Sequence, residues 1–212
     1  QGTSTIVGQA NATGAISVGA VLYSNTPVYG VNPPTVASFS SRGGHLINGI
    51  DRNKPDLTAP NGVNTTVALG GQNIDGDAFP NFFGTSCAAP HAAGVAALLV
   101  NAKSKFHNGA TFTPEQMRTV LQTTAIDMYG AGYDIESGYG FIQADTALKT
   151  LAAPSPILLT HALSNNILVP GTDTVEVIIG GKYFNDNTAV IFKYDTIPAT
   201  TLSSTTLSVI IP

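Results

Sequence analysis

The sequence predicts an α/β domain followed by an all-β module, and three patterns lead to this prediction. Residues 14–22 (GAISVGAVL) form a short continuous apolar run, which is typical of a strand buried on both faces of a parallel sheet. Residues 88–100 are apolar at nearly every position, which predicts a helix buried on all sides. After residues 152–156 (AAPSP), alternating and β-branched runs separated by turn residues predict strands alone.

The composition excludes several classes of protein. Of the 212 residues, 43% are hydrophobic, so a sizeable core is available, and only 10% are charged. The net charge of −4 provides no basic patch, so we expect neither a nucleic-acid partner nor binding to an anionic membrane. No apolar run reaches the roughly 18 residues of a membrane span. Cys87 is the only cysteine, which excludes an intramolecular disulfide and a multi-cysteine zinc site.

Further elements complete the predicted domain. Residues 36–44 are expected to form a second short strand, whereas residues 54–63 contain two prolines and are expected to form turns. A helix is predicted over residues 113–125, because Thr113 and Gln116 match a capping box. A third helix is predicted within residues 138–151.

The predicted domain boundary lies at residues 152–156, where mixed helix and strand patterns give way to strand patterns alone. Residues 1–153 are assigned to the α/β domain and residues 154–212 to a β module of four or five strands.

Ser86 stands at the start of the predicted apolar helix, and two interpretations of it are open. A serine nucleophile needs a base for its proton and donors for the oxyanion, and free N–H groups at a helix start are such donors. Alternatively Ser86 is an N-cap, as most serines before helices are. Spacing alone favours the N-cap.

A wider resemblance favours the nucleophile. The stretch GTSCAAPHAAGVAALL resembles the serine-bearing motif of the subtilisin-like serine proteases (subtilases), Gly-Thr-Ser-Met-Ala-x-Pro-His-Val-Ala-Gly. The matching residues are Gly84, Thr85, Ser86, Ala88, Pro90, His91, Ala93 and Gly94. Three more stretches resemble the family in order and spacing: AISVGAV, FSSRG…KPDLTAPNGV and GYGFIQADTAL. Departures are Cys87 in place of Met, an inserted Asn61, and Phe83 in place of a small residue.

The resemblance implies a fold and an activity. Residues 1–153 would be the C-terminal portion of a subtilisin-like three-layer domain with a parallel sheet, belonging to a serine endopeptidase that acts on proteins or peptides. In the subtilisin order, Asp and His precede the Ser. The Asp, the His and the oxyanion-hole Asn would therefore lie N-terminal to Gln1, in a missing part of the catalytic domain that is this chain's partner. We accordingly expect the 212-residue chain alone to be inactive, and the whole protein to be secreted or cell-surface.

Other reactive side chains receive structural interpretations. His91 is expected to pack, because its spacing from Ser86 on a helix turns it away, and His45, His107 and His161 are expected at the surface. Cys87 is expected to be a small buried hydrophobe.

Calcium is a cofactor that the family resemblance allows. Asp127, Asp134 and Glu136 flank a glycine-rich loop that could supply oxygen ligands. They show no regular ligand spacing, so solvated carboxylates are the favoured interpretation, and no cofactor is assigned.

Residues 154–212 resemble the start of an IPT/TIG domain, an immunoglobulin-like β-sandwich. The matching points are the opening Pro156-Ile157, the VEVIIGGKYF segment and the closing TLSVIIP, with Gly180, Gly181 and Phe184 at a Gly-x-x-Phe turn. Such modules position or bind rather than catalyse. The family domain normally extends past this point, so an exposed sheet edge is expected.

Three alternatives to a subtilase remain open. An α/β-hydrolase esterase would use Ser86 in a Gly-x-Ser-x-Ala turn with Asp134 and His161 after it. A sedolisin-type peptidase shares the Gly-Thr-Ser motif. A pseudoprotease or adhesion scaffold would keep the fold without catalysis.

Overall fold

The computed structural model describes residues 4–67, 72–163 and 174–212. The chain divides into two compact units, Gln1–Ala152 and Ala153–Pro212. Each unit has its own hydrophobic core, and each is described by itself below.

A pair of parallel strands forms the centre of the first unit. β1 (Val18–Leu22) pairs in parallel with β2 (Leu57–Asn61), and the register places Val18 opposite Leu57 and Leu22 opposite Asn61. The parallel pairing and the strand predicted within residues 14–22 are thereby confirmed. β2, however, occupies a segment expected to form turns. Its five residues include Pro60, and Leu57, Thr58, Ala59 and Asn61 are buried. Because Pro55 lies just before β2 and Pro60 lies within it, the sequence pattern predicted turns instead of this short buried strand.

The strand predicted at residues 36–44 was wrong. Val36 makes only an isolated bridge to Val21, after which the chain turns. The reason is that side-chain and backbone groups of this segment bind β1 at single points: Ala37 N–H donates to Ala20 O (2.8 Å), and Ser40 Oγ accepts from Ala20 N–H (3.1 Å). A continuous ladder is therefore not formed.

A small antiparallel hairpin leads into the longest helix. It consists of β3 (Val63–Asn64) and β4 (Asn81–Phe82), with Val63 opposite Phe82. Short 3₁₀ helices occupy Gly8–Asn11, Tyr23–Asn25 and Pro27–Tyr29.

Helix α1 (Thr85–Phe106) is longer than the predicted span of residues 88–100 and is buried on one side only. Its buried residues are Cys87, Ala88, Ala92, Leu99 and Ala102, and of these Ala88, Ala92 and Leu99 share a core with residues of β1 and β2. The prediction of burial on all sides was wrong for this chain, because apolar residues on the other side are exposed, among them Ala89, Pro90, Ala93, Gly94, Ala97, Leu98 and Val100.

Pro90 lies inside α1 rather than in its first turn. Proline has no N–H, so the carbonyl of Ser86 lacks the helical donor that residue 90 would otherwise supply.

Two shorter helices close the first unit. α2 (Pro114–Thr123) begins with the predicted capping box: Thr113 Oγ1 accepts from Gln116 N–H, and the Gln116 side chain accepts from Thr113 N–H, both at 3.2 Å. α3 (Ala144–Lys149) occupies part of the third predicted helix. Met117 and Leu121 of α2 and Ala147 of α3 complete a core with residues of β1, β2 and α1.

The second unit is one curled antiparallel sheet in its described residues. Its strands are β5 (Ile157–Leu163), β6 (Val175–Lys182), β7 (Ala189–Phe192), β8 (Asp195–Ser203) and β9 (Thr206–Ile211). Their spatial order is β5-β6-β9-β8-β7, and every pairing is antiparallel. Its core consists of Ile179, Phe184, Leu207 and Val209. The all-β prediction is confirmed, whereas the immunoglobulin-like sandwich is not.

Within the described ranges, none of the helices combines the length and the apolar composition that a bilayer-spanning segment requires.

Candidate active site

Ser86 is an exposed residue in the first turn of α1. The N-cap of this helix is Gly84, with φ 102° and ψ 171°, and no side chain caps the helix. Ser86 therefore does not have the N-cap role that spacing alone favoured. Its hydroxyl has no hydrogen-bond partner in the part of the chain that the structure describes.

Backbone N–H groups at the start of α1 suit an anion. Cys87 N–H and Ala88 N–H both donate to Gly84 O, at 2.9 Å and 3.2 Å. The N–H groups of Thr85 and Ser86 precede the first bond of the helical ladder and are not used by it. Because the helix dipole also places positive charge at this end, negative charge that develops beside Ser86 is stabilised.

A cavity of about 460 Å³ adjoins Ser86. Its wall comes from residues before and within β1, from residues 40–41 and from the first turn of α1. The lining residues are Thr5, Ile6, Val7, Ala10, Ile16, Ser17, Val18, Gly19, Ser40, Ser41, Thr85, Ser86 and Ala89. None of them is charged, so the space beside the hydroxyl is suited to an uncharged group.

Strand β4, which precedes the helix of Ser86, is bound to Gly62, the residue after β2. Gly62 N–H donates to Phe82 O (2.8 Å), and Asn81 Nδ2 donates to Gly62 O (2.9 Å). Gly62 has φ +75°, and a Cβ there would lie 2.6 Å from Leu22 Cδ1, so only glycine fits without displacing its neighbours.

Asn61, which sequence analysis noted only as an insertion, also contacts this turn. Its Oδ1 accepts from Gly84 N–H at 3.5 Å. No property of the single sequence pointed to this contact, because the two residues are 23 positions apart.

His91 and Cys87 are engaged structurally. His91 is half-buried, and its Nδ1 lies 2.8 Å from Cys87 O, one turn back along α1. Cys87 is 1% exposed. Both placements agree with the packing roles predicted for these residues. His107 and His161 are exposed as expected, whereas His45 is half-buried.

The carboxylates considered for calcium have other partners. Asp127 accepts from Gly132 N–H (3.0 Å), Asp134 accepts from Glu136 N–H (2.7 Å) and Ser137 N–H (2.8 Å), and Glu136 pairs with Arg42 (2.9 Å). Within the described ranges, no three His, Cys, Asp or Glu side chains form a metal-binding group. The three carboxylates are thus held by separate partners, and each has a structural role in its own loop.

The esterase alternative required Asp134 and His161. Asp134 closes the turn that pairs it with Gly138, where its Oδ2 also accepts from Ser137 Oγ. His161 is an exposed residue of β5 in the second unit.

A buried ion cluster lies in the first unit and was not predicted. Asp56 is 2% exposed, and its carboxylate accepts from Lys54 Nζ (2.6 Å), Arg118 Nε (3.0 Å) and Ser17 N–H (2.8 Å). It joins the chain before β1 to the start of β2 and to α2. Of these segments, the chain before β1 also lines the Ser86 cavity, through Ile16 and Ser17.

The chain belongs to the subtilase family of peptidases. The model of this family matches residues 1–141, which is more than half of the chain.

Individual relatives agree with this assignment. The chain is 36% identical to fervidolysin of Fervidobacterium pennivorans over 121 residues, which are 54% of this chain and 16% of fervidolysin. It is 34% identical to the subtilisin-like protease SBT2.1 of Arabidopsis thaliana over 126 residues, 56% of this chain and 14% of that protein. The match thus spans less than a fifth of the length of either relative.

A solved structure shares the fold. The CspB protease of Clostridium perfringens superposes with a TM-score of 0.54 at 29% identity, covering 70% of this chain and 28% of the protease. The subtilisin-like α/β fold of the first unit is therefore established.

Proposed function

We propose that this chain supplies the nucleophile, Ser86, of a subtilisin-type serine endopeptidase. One observation carries the proposal: Ser86 is exposed at the start of a 22-residue helix, beside an uncharged cavity and in the position of the family's serine motif. The Ser-His-Asp mechanism also needs a base and a group that orients it. In this proposal the His and the Asp come from a segment N-terminal to Gln1.

The chemistry assigned to this chain is acyl transfer. Ser86 Oγ attacks the carbonyl carbon of the scissile peptide bond while its proton passes to the upstream His. The carbonyl oxygen becomes an oxyanion and accepts hydrogen bonds from N–H groups at the start of α1. Collapse of this intermediate expels the amine, which takes the proton from the His. Water then hydrolyses the acyl-Ser86 ester by the same steps.

The exposed side of α1 is the surface on which we place the upstream segment. Leu98 is 55% exposed and Val100 is 43% exposed on a helix whose other side is packed. Exposed apolar surface of this kind marks an interface. The occupant is the remainder of the catalytic domain, because the chain covers only a small share of its relatives.

For the second unit we propose an IPT/TIG-like module with a binding or positioning role. The support is the Gly-x-x-Phe turn: a Cβ on Gly181 would lie 2.1 Å from Ile157 O and 2.3 Å from the Phe184 ring, and Phe184 is 7% exposed. Glycine at this position therefore allows Phe184 to enter the core. We also propose that the protein acts outside the cell, as is typical of subtilases.

A serine-directed fluorophosphonate probe tests the proposed function. The protein that includes the upstream segment is expected to be labelled at Ser86, and Ser86→Ala is expected to abolish labelling and peptide hydrolysis. The 212-residue chain alone is expected to show neither reaction, because it lacks the base. Failure to label the longer protein would support the pseudoprotease alternative, and labelling of the short chain would contradict the need for an upstream His.

A further inference from the structure

We infer that Asn61 is a positioning residue for Ser86, acting through the peptide group of Gly84. The inference rests on the proposed function of Ser86. It assigns a role to a residue that departs from the subtilase pattern and that touches no part of the cavity beside the nucleophile.

Asn61 has a fixed position. It is the last residue of β2, pairs with Leu22 of β1 and is 0% exposed. A side chain on a paired and fully buried backbone has few alternative orientations. The direction of its amide is set by Gly84, because an N–H donor requires the oxygen rather than the nitrogen of the Asn61 amide.

The NH₂ group of the Asn61 side chain is further evidence about the role of this amide. Asn61 Nδ2 is buried and has no partner among the described residues. A buried unpaired donor lowers stability, so an apolar side chain would satisfy packing better. Of the two polar groups of this amide, Oδ1 is the one with a partner among the described residues, so the oxygen is the group that can act on the turn before Ser86.

Gly84 is the residue on which that oxygen acts. Gly84 has φ 102° and no Cβ to restrict its backbone. Apart from its chain neighbours, the nearest atom to the position that a Cβ would take is Ser86 N, at 3.6 Å. Rotation of the peptide group between Phe83 and Gly84 is thus opposed by the hydrogen bond that Gly84 N–H donates to Asn61 Oδ1 (3.5 Å). Because Gly84 O accepts from Cys87 N–H and Ala88 N–H, we expect this rotation to shift the first turn of α1, where the proposed oxyanion donors lie.

A neighbouring backbone hydrogen bond allows a change at the Gly84 peptide to be distinguished from a general loosening of the β3–β4 hairpin. Gly62 N–H donates to Phe82 O through backbone atoms alone, so it persists when Asn61 is replaced. Loss of the Asn61 oxygen is therefore expected to disturb the Gly84 peptide while the hairpin stays paired.

Three variants of the protein that includes the upstream segment test the inference. Asn61→Ala and Asn61→Leu remove the acceptor, and Leu approximately keeps the volume. Asn61→Asp keeps an acceptor oxygen in either protonation state. Thr113→Ala, which removes the cap of α2, is the control for a loss of stability that does not involve residues 82–86.

The readouts are the rate of fluorophosphonate labelling at Ser86 and the kcat and KM for a peptide substrate. We expect Asn61→Ala and Asn61→Leu to lower kcat and the labelling rate about tenfold with KM changed less than about twofold, as for loss of transition-state stabilisation. Asn61→Asp is expected to stay within about threefold of the parent, and Thr113→Ala at the parent values.

Amide hydrogen exchange of Gly84 in the 212-residue chain is a measurement independent of activity. Exchange at Gly84 is expected to accelerate in Asn61→Ala and Asn61→Leu but not in Asn61→Asp. Unchanged exchange, or unchanged labelling in folded Ala and Leu variants, would overturn the inference while leaving the nucleophile role of Ser86 intact. Absence of labelling in the parent would instead refute the proposed function. If the Ala and Leu variants do not fold, loss of Gly84 protection or of labelling in folded Asn61→Asp overturns the inference.

Discussion

The two units of this chain are stabilised in different ways. In the first unit, side chains bind across long stretches of sequence: Asp56 binds Ser17 and Arg118, which are 39 and 62 residues away. In the second unit, a sheet closes over a small apolar core, which has four buried residues in the described part of the chain. The main core cluster of the first unit has ten buried residues within the described ranges.

This difference indicates how each unit relates to function. Substrate positioning needs elements that do not move relative to one another, and buried ionic contacts fix such geometry at a cost in desolvation. A small sheet with a short core can serve as a binding surface without that rigidity. We therefore expect polar substitutions to damage the first unit most and core truncations to damage the second unit most.

The largest expected effect follows from Asp56→Ala. The change leaves the charges of Lys54 (3% exposed) and Arg118 without their shared carboxylate. Loss of one partner of a buried ion pair lowers the free energy of unfolding by about 3–5 kcal/mol. Urea unfolding monitored by residue-resolved NMR is expected to show this loss in residues of the first unit and no change in the second.

Glu115→Ala is the matched control, because Glu115 pairs with the same Arg118 (2.7 Å) but its side chain is 76% exposed. An exposed pair contributes at most about 1 kcal/mol. If both variants lose the same stability, burial is not what makes the Asp56 cluster important, and the contrast between the units fails.

The second expected effect compares Leu207→Ala with Leu121→Ala. Both side chains are 1% exposed, and each truncation is expected to cost about 2–5 kcal/mol. A small unit has only about 3–5 kcal/mol of stability from its core, so Leu207→Ala should unfold the second unit. Leu121→Ala should only lower the temperature at the midpoint of unfolding of the first unit.

Thermal unfolding followed by NMR cross-peaks of each unit checks this pair of variants. If the second unit of the Leu207→Ala protein stays folded, contacts other than those of its buried core must stabilise the sheet.

The smallest expected effect concerns Tyr133, and it extends the comparison of the two units to high pH. Burial raises the pKa of Tyr133 to about 12, with Asp51 and Asp134 adding to the shift, and its hydroxyl donates to Lys54 O at 2.9 Å. The unfolded pKa is about 10. The stability gained by keeping this hydroxyl neutral is present below pH 10 and is lost as the pH rises through about 12.

Tyr133→Phe is expected to remove this high-pH loss from the first unit, although it also deletes the hydrogen bond to Lys54 O. Urea unfolding at several pH values measures how the free energy of unfolding depends on pH. The ultraviolet absorbance of tyrosinate measures the titration of the hydroxyl group directly. A tyrosinate titration in the folded protein that matches the urea-unfolded protein would contradict the assigned shift.

The parts of the fold that the sequence predicted correctly depend on local patterns. The capping box of α2 lies within four residues, and the apolar run of α1 is continuous along the chain. β2 was missed because Pro55 and Pro60 resemble turn residues, and residues 36–44 were assigned a strand although Ser40 binds β1 through its side chain.

The candidate site could be predicted only as far as Ser86. Its motif is contiguous, whereas the groups around it are brought together by the fold. Asn61 contacts Gly84 across 23 residues, and Gln122 approaches Asp56 across 66. A single sequence contains no periodicity that reports such contacts.

The proline within α1 has a consequence for how the site can be altered. Because residue 90 provides no N–H, the carbonyl of Ser86 is not tied to the following turn. The first turn is therefore joined to the rest of the helix by one backbone hydrogen bond fewer than a helix without proline would have. Substitution of Pro90 by a residue with an N–H would supply the missing bond and so restrain the turn that carries the Ser86 hydroxyl.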